Sequence, residues 1–459
     1  MHSTDSVVID NAYIATVDAH DSEIDGGWVV VEGNRIAAVG SGVLPTQYEG
    51  ARRIDAAGKL LTPGFVNTHH HLYQWATRGL ATDHTLFEWL VTLYPIWGNL
   101  DAEITRAAAR GALSSLLLSG CTYSTDHHYL FPRDGGDCFA AEVDAAQSLG
   151  IRFHPCRGSM DLGRSHGGLP PDHVVEDRDA ILTATESAIA RFHDPSSDAM
   201  VKVAVAPCSP FSVTGELMKE AAELARKHNV RLHTHLAETD DEEQFCRERF
   251  GCNPTEYVDS LGWLGPDVWM AHSIHLDDAA VARFGATGTG VAHCPSSNAR
   301  LGAGIARVTD LLAAGAPVGL GVDGAASNED GQLLTEVRSA ALWARLRGGP
   351  TALRTRDALR LATIGGARVL GRDSDLGSIE AGKLADLALW DLSDIGHADI
   401  VDPIAALVLG PVSHVDTLMV NGAIVVENSH LANTSHEEIA TEARAASRTL
   451  LARHQETRS

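Results

Sequence analysis

Eight short apolar runs, at 64–68, 121–126, 152–156, 201–206, 231–236, 268–271, 290–293 and 318–322, constrain the fold of this chain more than any other feature. Between several of them the period changes to that of amphipathic helices. In 215–228, Leu217, Ala221, Leu224 and Ala225 share one face, and 308–314 is stopped by Gly315. Strands that alternate with helices in this way form βα units around a parallel sheet. Eight of them predict an α/β protein with a (β/α)8 TIM-like barrel, whose active site lies at the C-terminal strand ends. The chain's two ends read differently. Short β segments at 7–9, 28–32, 35–39 and 52–54 are matched late in the chain by 385–390, 417–420 and 423–426, with the turn Asn421-Gly422 between the last two. The expectation is a flanking β-sandwich built from 1–61 and 377–427, a barrel over 62–376, and a helical C-terminal tail over 428–459.

Composition narrows the function. Lys+Arg 36 against Asp+Glu 60 gives 36 − 60 = −24, which disfavours nucleic acid and anionic membranes as partners. No Lys or Arg precedes Arg35 and no apolar run approaches the ~18 residues of a membrane span, so neither a secretory signal nor an anchor is expected. Seven cysteines without a C-x-x-C pair fit reduced thiols, and hence a cytoplasmic protein.

Histidine carries the chemical signal, with 23 in the chain and several grouped at the ends of apolar runs. In Asn67-Thr68-His69-His70-His71, alternation along the first strand puts His69 and His71 on one side, where they can share a metal. The fifth strand ends His233-Thr234-His235-Leu236-Ala237-Glu238. Parity does not choose between His233 and His235, but the residue nearer the rim should reach a metal held by His69 and His71, so His235 is taken as the third ligand. Glu238, just past the strand, is placed to give or take a proton beside the metal. His272 ends the sixth strand, and Asp323 ends the eighth above the small residues Gly319 and Gly321. His127, His128, His275 and His293 also lie near strand ends, without an expected direct role.

As a set, H-x-H, H-x-x-E, His and Asp on strands one, five, six and eight resemble the amidohydrolase superfamily. The likeness extends to 62–71 and to the late Gly377-Ser378-Ile379-Glu380-Ala381-Gly382-Lys383. The bridging lysine of the binuclear branch is absent at the end of strand four, which reads Ala206-Pro207-Cys208-Ser209, so the resemblance is to the mononuclear deaminase branch. It implies one zinc ion, with iron as the alternative, bound by His69, His71, His235 and Asp323. It also implies that water activated there attacks an amino-bearing ring carbon. Glu238 would carry a proton to the neighbouring ring nitrogen, and His272 with Asp323 would manage the water's proton.

The stretch 72–100, rich in aromatics including Trp89, Tyr94 and Trp97, is expected as a lid over the metal mouth. Gln74, Trp97 and Cys208 are the expected substrate contacts, an amide being able both to donate and to accept at a purine edge. Within the superfamily the more specific likeness is to bacterial 8-oxoguanine deaminases, through 67–74, 86–97, 167–172 and 206–212. The resemblance implies hydrolytic deamination of an amino-substituted purine-type ring, 8-oxoguanine to urate plus ammonia being the leading case. A triazine hydrolase, a guanine- or isocytosine-type deaminase and a non-catalytic barrel scaffold stay open as alternatives. The expected partner is a small heterocycle, and the expected assembly is a homo-oligomer, a dimer or larger.

Overall fold

A computed structural model describes residues 6–457. Phe65–Asn67, Cys121–His128, Arg152–Ser159, Ala204–Pro207, Leu232–Leu236, Val268–His272, Gly290–His293 and Val318–Leu320 close into one parallel barrel, the last strand pairing with the first at Leu320 and Asn67. These are the eight runs expected from sequence, and every residue in them is buried, as strands covered on both faces must be. Cross-strand bonding continues past the strand ends. The amide of His127 donates to His70 O (2.7 Å), that of Asp323 to His69 O (3.1 Å) and that of Ser273 to Leu236 O (3.0 Å). This continued ladder holds Ala237, His272, Ser273 and Asp323 at φ of 51°, 68°, 49° and 63°. Non-glycine residues in that left-handed region cost on the order of 1–3 kcal/mol each and persist where surrounding contacts impose them.

Both ends of the chain build the flanking β structure, as expected. Its strands form one nine-stranded sheet, with Ser6–Ala15, Glu23–Glu32, Arg35–Ser41, Arg52–Asp55 and Lys59–Pro63 from the N-terminal side and Leu387–Asp391, Thr417–Val420, Ala423–Glu427 and His430–Leu431 from the other. Lys59–Pro63, a strand the sequence reading passed over, pairs antiparallel with Leu387–Asp391 and joins the two contributions. It runs across the expected edge at 61 and passes through Gly64 directly into the first barrel strand. A Cβ at Gly64 would stand 2.3 Å from the Thr122 side chain, so only glycine lets the chain cross there.

The segment after the first barrel strand is not an open loop. It forms a 3-10 helix, Leu72–Thr77, and an α-helix, Leu86–Trp97, whose start is fixed by a capping box between Thr85 and Glu88. The C-terminal helix His436–Glu456 lies against the helix Ala102–Leu118, where Arg110 pairs with Glu438 (2.9 Å) and Glu442 (3.0 Å). Among the described residues no helix is long and apolar enough to cross a membrane.

A buried ion pair ties sheet to barrel. Arg152, on the third barrel strand, donates through Nε and Nη2 to Asp386 (3.2 and 3.0 Å) and through Nη1 to Ala199 O (2.6 Å), while the Asn421 amide donates to Asp386 Oδ1 (2.8 Å). Asp386→Ala strands that guanidinium in the interior. It should cost about 3–5 kcal/mol, seen as a lowered urea or thermal midpoint; an unchanged midpoint would show that the pair does not hold the two units together.

Candidate functional site

At the C-terminal mouth of the barrel, His69 and His71 from beyond the first strand, His235 from the fifth and Asp323 from beyond the eighth come together. Hydrogen bonds fix which ring nitrogen of each histidine carries the proton. A carbonyl only accepts, so His71 Nδ1–H donates to His127 O (2.7 Å) and His235 Nδ1–H donates to Cys208 O (2.7 Å). His233 Nδ1–H donates to Trp269 O (2.9 Å), which makes its Nε2 an acceptor for His69 Nδ1–H at 2.8 Å. Burial drives all four rings toward the neutral form, His71 to a pKa of about 4, His235 to about 3, and His69 and His233 well below the ordinary histidine value. Three Nε2 lone pairs therefore converge. His71 and His235 bring theirs within 3.0 Å of each other, and Asp323 Oδ1 lies 3.3 Å from His69 Nε2 and 3.4 Å from His71 Nε2. Among the described residues the buried His69 Nε2 has no hydrogen-bond partner. Tetrahedral zinc with bonds of 2.0–2.1 Å spaces its donors by about 3.3 Å, so this set of neutral imidazoles and one carboxylate fits such an ion.

Asp323 is held from both sides: Oδ2 accepts from Ser297 Oγ (2.6 Å) and Oδ1 from the Gly324 amide (2.7 Å). Burial alone would raise its pKa, but the charge of the neighbouring His272 opposes burial, and the carboxyl lies well below the usual range. The Glu238 carboxyl is buried and makes no hydrogen bond among the described residues. Burial pushes its pKa up to about 7 against the pull of His272, whose Nε2 lies 3.6 Å from Glu238 Oε2 and 3.9 Å from Asp323 Oδ2. His272 itself is raised: burial would lower it, but the two carboxyls prevail. Its Nδ1 is 2.9 Å from Asn298 Oδ1, which aims Nε2 at Glu238.

Above these groups lies a pocket whose wall includes Gln74, Trp89, Tyr94, Tyr129, Cys208 and Phe211. Gln74 presents a buried Oε1 without a hydrogen-bond partner among the described residues and packs against Gly324, where a Cβ would come within 1.9 Å of that oxygen. The Cys208 thiol is pushed up to about 12 by burial, so it meets the pocket as a neutral S–H. Trp97 is not in the wall. It is fully buried behind Tyr73, Trp89 and Tyr94, with Nε1–H donating to Thr77 Oγ1 (3.0 Å). The aromatic lid expected over the mouth is thus a helix with Trp89 and Tyr94 turned inward and Trp97 packed beyond them. His275 faces away, between Ala303 O and Asp240, and His128 is tied to Glu142 (2.7 Å). His127 lies beside the donor set, ring-stacked on His235.

Sequence reasoning missed Tyr129, Phe211, Ser297, Asn298 and Glu242. Glu242 accepts the amides of Ala237 (2.9 Å) and Glu238 (3.0 Å) and so secures the turn that presents Glu238. Its signal was masked, because an acid in the first turn of the helix Asp240–Phe250 reads as an ordinary partner for a helix N-terminus.

The profile of the Amidohydrolase family matches residues 60–425. The chain is 47% identical over 412 residues to 8-oxoguanine deaminase of Pseudomonas aeruginosa, covering 89% of this chain and 91% of that one. It is 35% identical over 447 residues to hydroxydechloroatrazine ethylaminohydrolase of Pseudomonas sp. (strain ADP), covering 93% and 92%. Among solved structures, atrazine chlorohydrolase from Arthrobacter aurescens TC1, complexed with zinc, superposes with a TM-score of 0.91 at 33% identity, covering 96% of this chain and 100% of that one.

Glu242→Gln retains the side chain's length but turns an NH2 toward one of the two amides. Stranding that buried N–H should cost about 1–3 kcal/mol, read as a drop in the urea midpoint. A midpoint equal to wild type would mean that Glu242 does not hold the turn.

Proposed function

The chain belongs to the amidohydrolase family and is a hydrolase acting on C–N bonds, and from that premise we propose that it converts 8-oxoguanine and water to urate and ammonia. The observation that carries the reading is a buried carboxyl group, Glu238, whose pKa burial pushes up to about 7 and whose oxygens make no hydrogen bond among the described residues, set beside a converged donor set under an aromatic pocket. The 47% identity to an 8-oxoguanine deaminase across most of both chains supports the oxopurine as the ring. One zinc ion held by His69, His71, His235 and Asp323 is the proposed cofactor, with iron the alternative. When bound, such an ion supplies Lewis acidity that makes water nucleophilic near neutral pH.

The side chains then divide the proton work. Glu238, with its pKa raised to about 7, holds a proton at its carboxyl oxygen and delivers it to the ring nitrogen next to the amino-bearing carbon, so that the ring accepts water and releases ammonia. His272, whose Nδ1 is held by Asn298 and whose Nε2 faces Asp323, takes up the water's proton at Nε2 together with that carboxylate. The Gln74 amide and the Cys208 S–H meet the ring edge, the free Gln74 Oε1 suiting a ring N–H. Trp89, Tyr94 and Phe211 exclude water from a flat heterocycle. A homo-oligomer is proposed too, supported by the exposed Leu342 and Leu346 one helical turn apart and by the exposed Leu409 and Val412. The seven free cysteines support a reducing cytoplasm.

Triazine hydrolysis is the second reading, favoured by the similarity to the atrazine chlorohydrolase and the ethylaminohydrolase. The test is ammonia release by zinc-loaded protein from 8-oxoguanine, guanine, isocytosine and amino- or chloro-triazines, with chloride followed in parallel. Preference for 8-oxoguanine is expected. Preference for a triazine overturns the substrate assignment, and no turnover with zinc bound overturns the catalytic one.

Glu238→Gln should still bind zinc and should lose about 10²–10⁴-fold in turnover. Normal turnover in that variant would remove Glu238 from the proton path.

A further inference from the structure

The three histidines of the donor set are not supported alike. His71 and His235 each give Nδ1–H to a backbone carbonyl, an acceptor that cannot change role. His69 gives its Nδ1–H to another imidazole, and an imidazole nitrogen accepts or donates according to tautomer. Something must therefore fix the second ring, and Trp269 does so from the sixth strand. Its carbonyl accepts His233 Nδ1–H at 2.9 Å, its indole stacks on the His233 ring at 4.4 Å and 16°, and its Nε1–H donates to the carbonyl of Thr68 at 3.0 Å, one residue before His69. One side chain thus grips both the supporting ring and the strand that carries the supported one.

We propose that His233 is a positioning residue: by accepting the Nδ1–H of His69 in a tautomer dictated by the Trp269 carbonyl, it commits the Nε2 lone pair of His69 to the metal. In the opposite tautomer His233 would turn a lone pair onto the Trp269 carbonyl and donate to His69. The His69 proton would then sit on Nε2, where it blocks ligation. This inference rests on the reading that His69, His71, His235 and Asp323 hold the ion.

The test uses the full chain and two polar replacements of different reach. In His233→Gln the amide oxygen falls near the place of the imidazole Nε2 and can accept from His69; in His233→Asn the shorter amide stays near the Nδ1 position, beside Trp269 O. Zinc affinity is measured by competition with a chromogenic chelator, the visible spectrum of the cobalt(II) form reports the ligand field, and thermal midpoints of the metal-free proteins report folding. The expected result is near-wild-type zinc affinity and cobalt spectrum for Gln, and affinity about 10–100-fold weaker with an altered spectrum for Asn, with similar metal-free midpoints. Equal zinc affinities in the two variants, on a wild type that binds tightly, would overturn the role of His233 alone. A wild type that binds no zinc would overturn the ligand assignment and this inference with it.

Discussion

Removal from water at the barrel mouth decides the protonation of the groups there, and the arrangement follows from how each ring nitrogen is then satisfied. An uncompensated buried charge costs several kcal/mol, so His69, His71, His233 and His235 are held neutral. A neutral imidazole has one donor and one acceptor. With the Nδ1–H groups of His71 and His235 committed to carbonyls, their acceptor nitrogens are left facing each other at 3.0 Å. Two lone pairs that close repel, and a cation between them turns the repulsion into coordination. On the proposed ligand set, a preference for a metal would therefore be built by carbonyls outside the donor set as much as by the donors.

Those carbonyls stay in place because the barrel is closed. Cys208 O also receives the His235 amide at 3.1 Å, and His70 O receives the amide of His127, whose own carbonyl holds His71. The same continuity sustains left-handed backbone at Ala237, His272 and Asp323, each next to or within the reactive set. Strain of that kind relaxes where a strand end is free to fray. The Arg152–Asp386 pair and the crossing at Gly64 bind the outer sheet to the barrel on the side where the chain enters its first strand.

Much of this was legible because it is periodic. Strand alternation placed His69 and His71 together, and eight apolar runs became eight strands. Alternation also put His233 and His235 on one side, and both do face the interior; what separates their partners is depth along the strand, which parity does not measure. Trp97 shows a similar limit on a helix. It shares a stripe with Leu86 and Leu90, but stands eleven residues beyond Leu86, about 16 Å of helical rise, past the edge of the pocket. Composition marked the segment as aromatic without saying which rings would reach the mouth. Ser297 and Asn298 were beyond sequence reasoning because a serine and an asparagine after a strand look like ordinary helix-start residues, and only the closure of the barrel brings them to Asp323 and His272.

Glu238 and Glu242 show why burial alone does not identify a reactive carboxyl. The two lie four residues apart, both are buried, and burial raises each to a pKa of about 7. Glu242 accepts two backbone amides, so its oxygens are engaged and a shift in its charge would disturb the turn it holds. The Glu238 carboxyl makes no hydrogen bond among the described residues and borders the pocket beside His272. A carboxyl that is proton-bearing near neutrality, unengaged and open to the pocket can pass its proton to a bound ring without breaking any contact of the fold. The engaged neighbour cannot, and in the proposed reaction it would keep Glu238 where that transfer is possible.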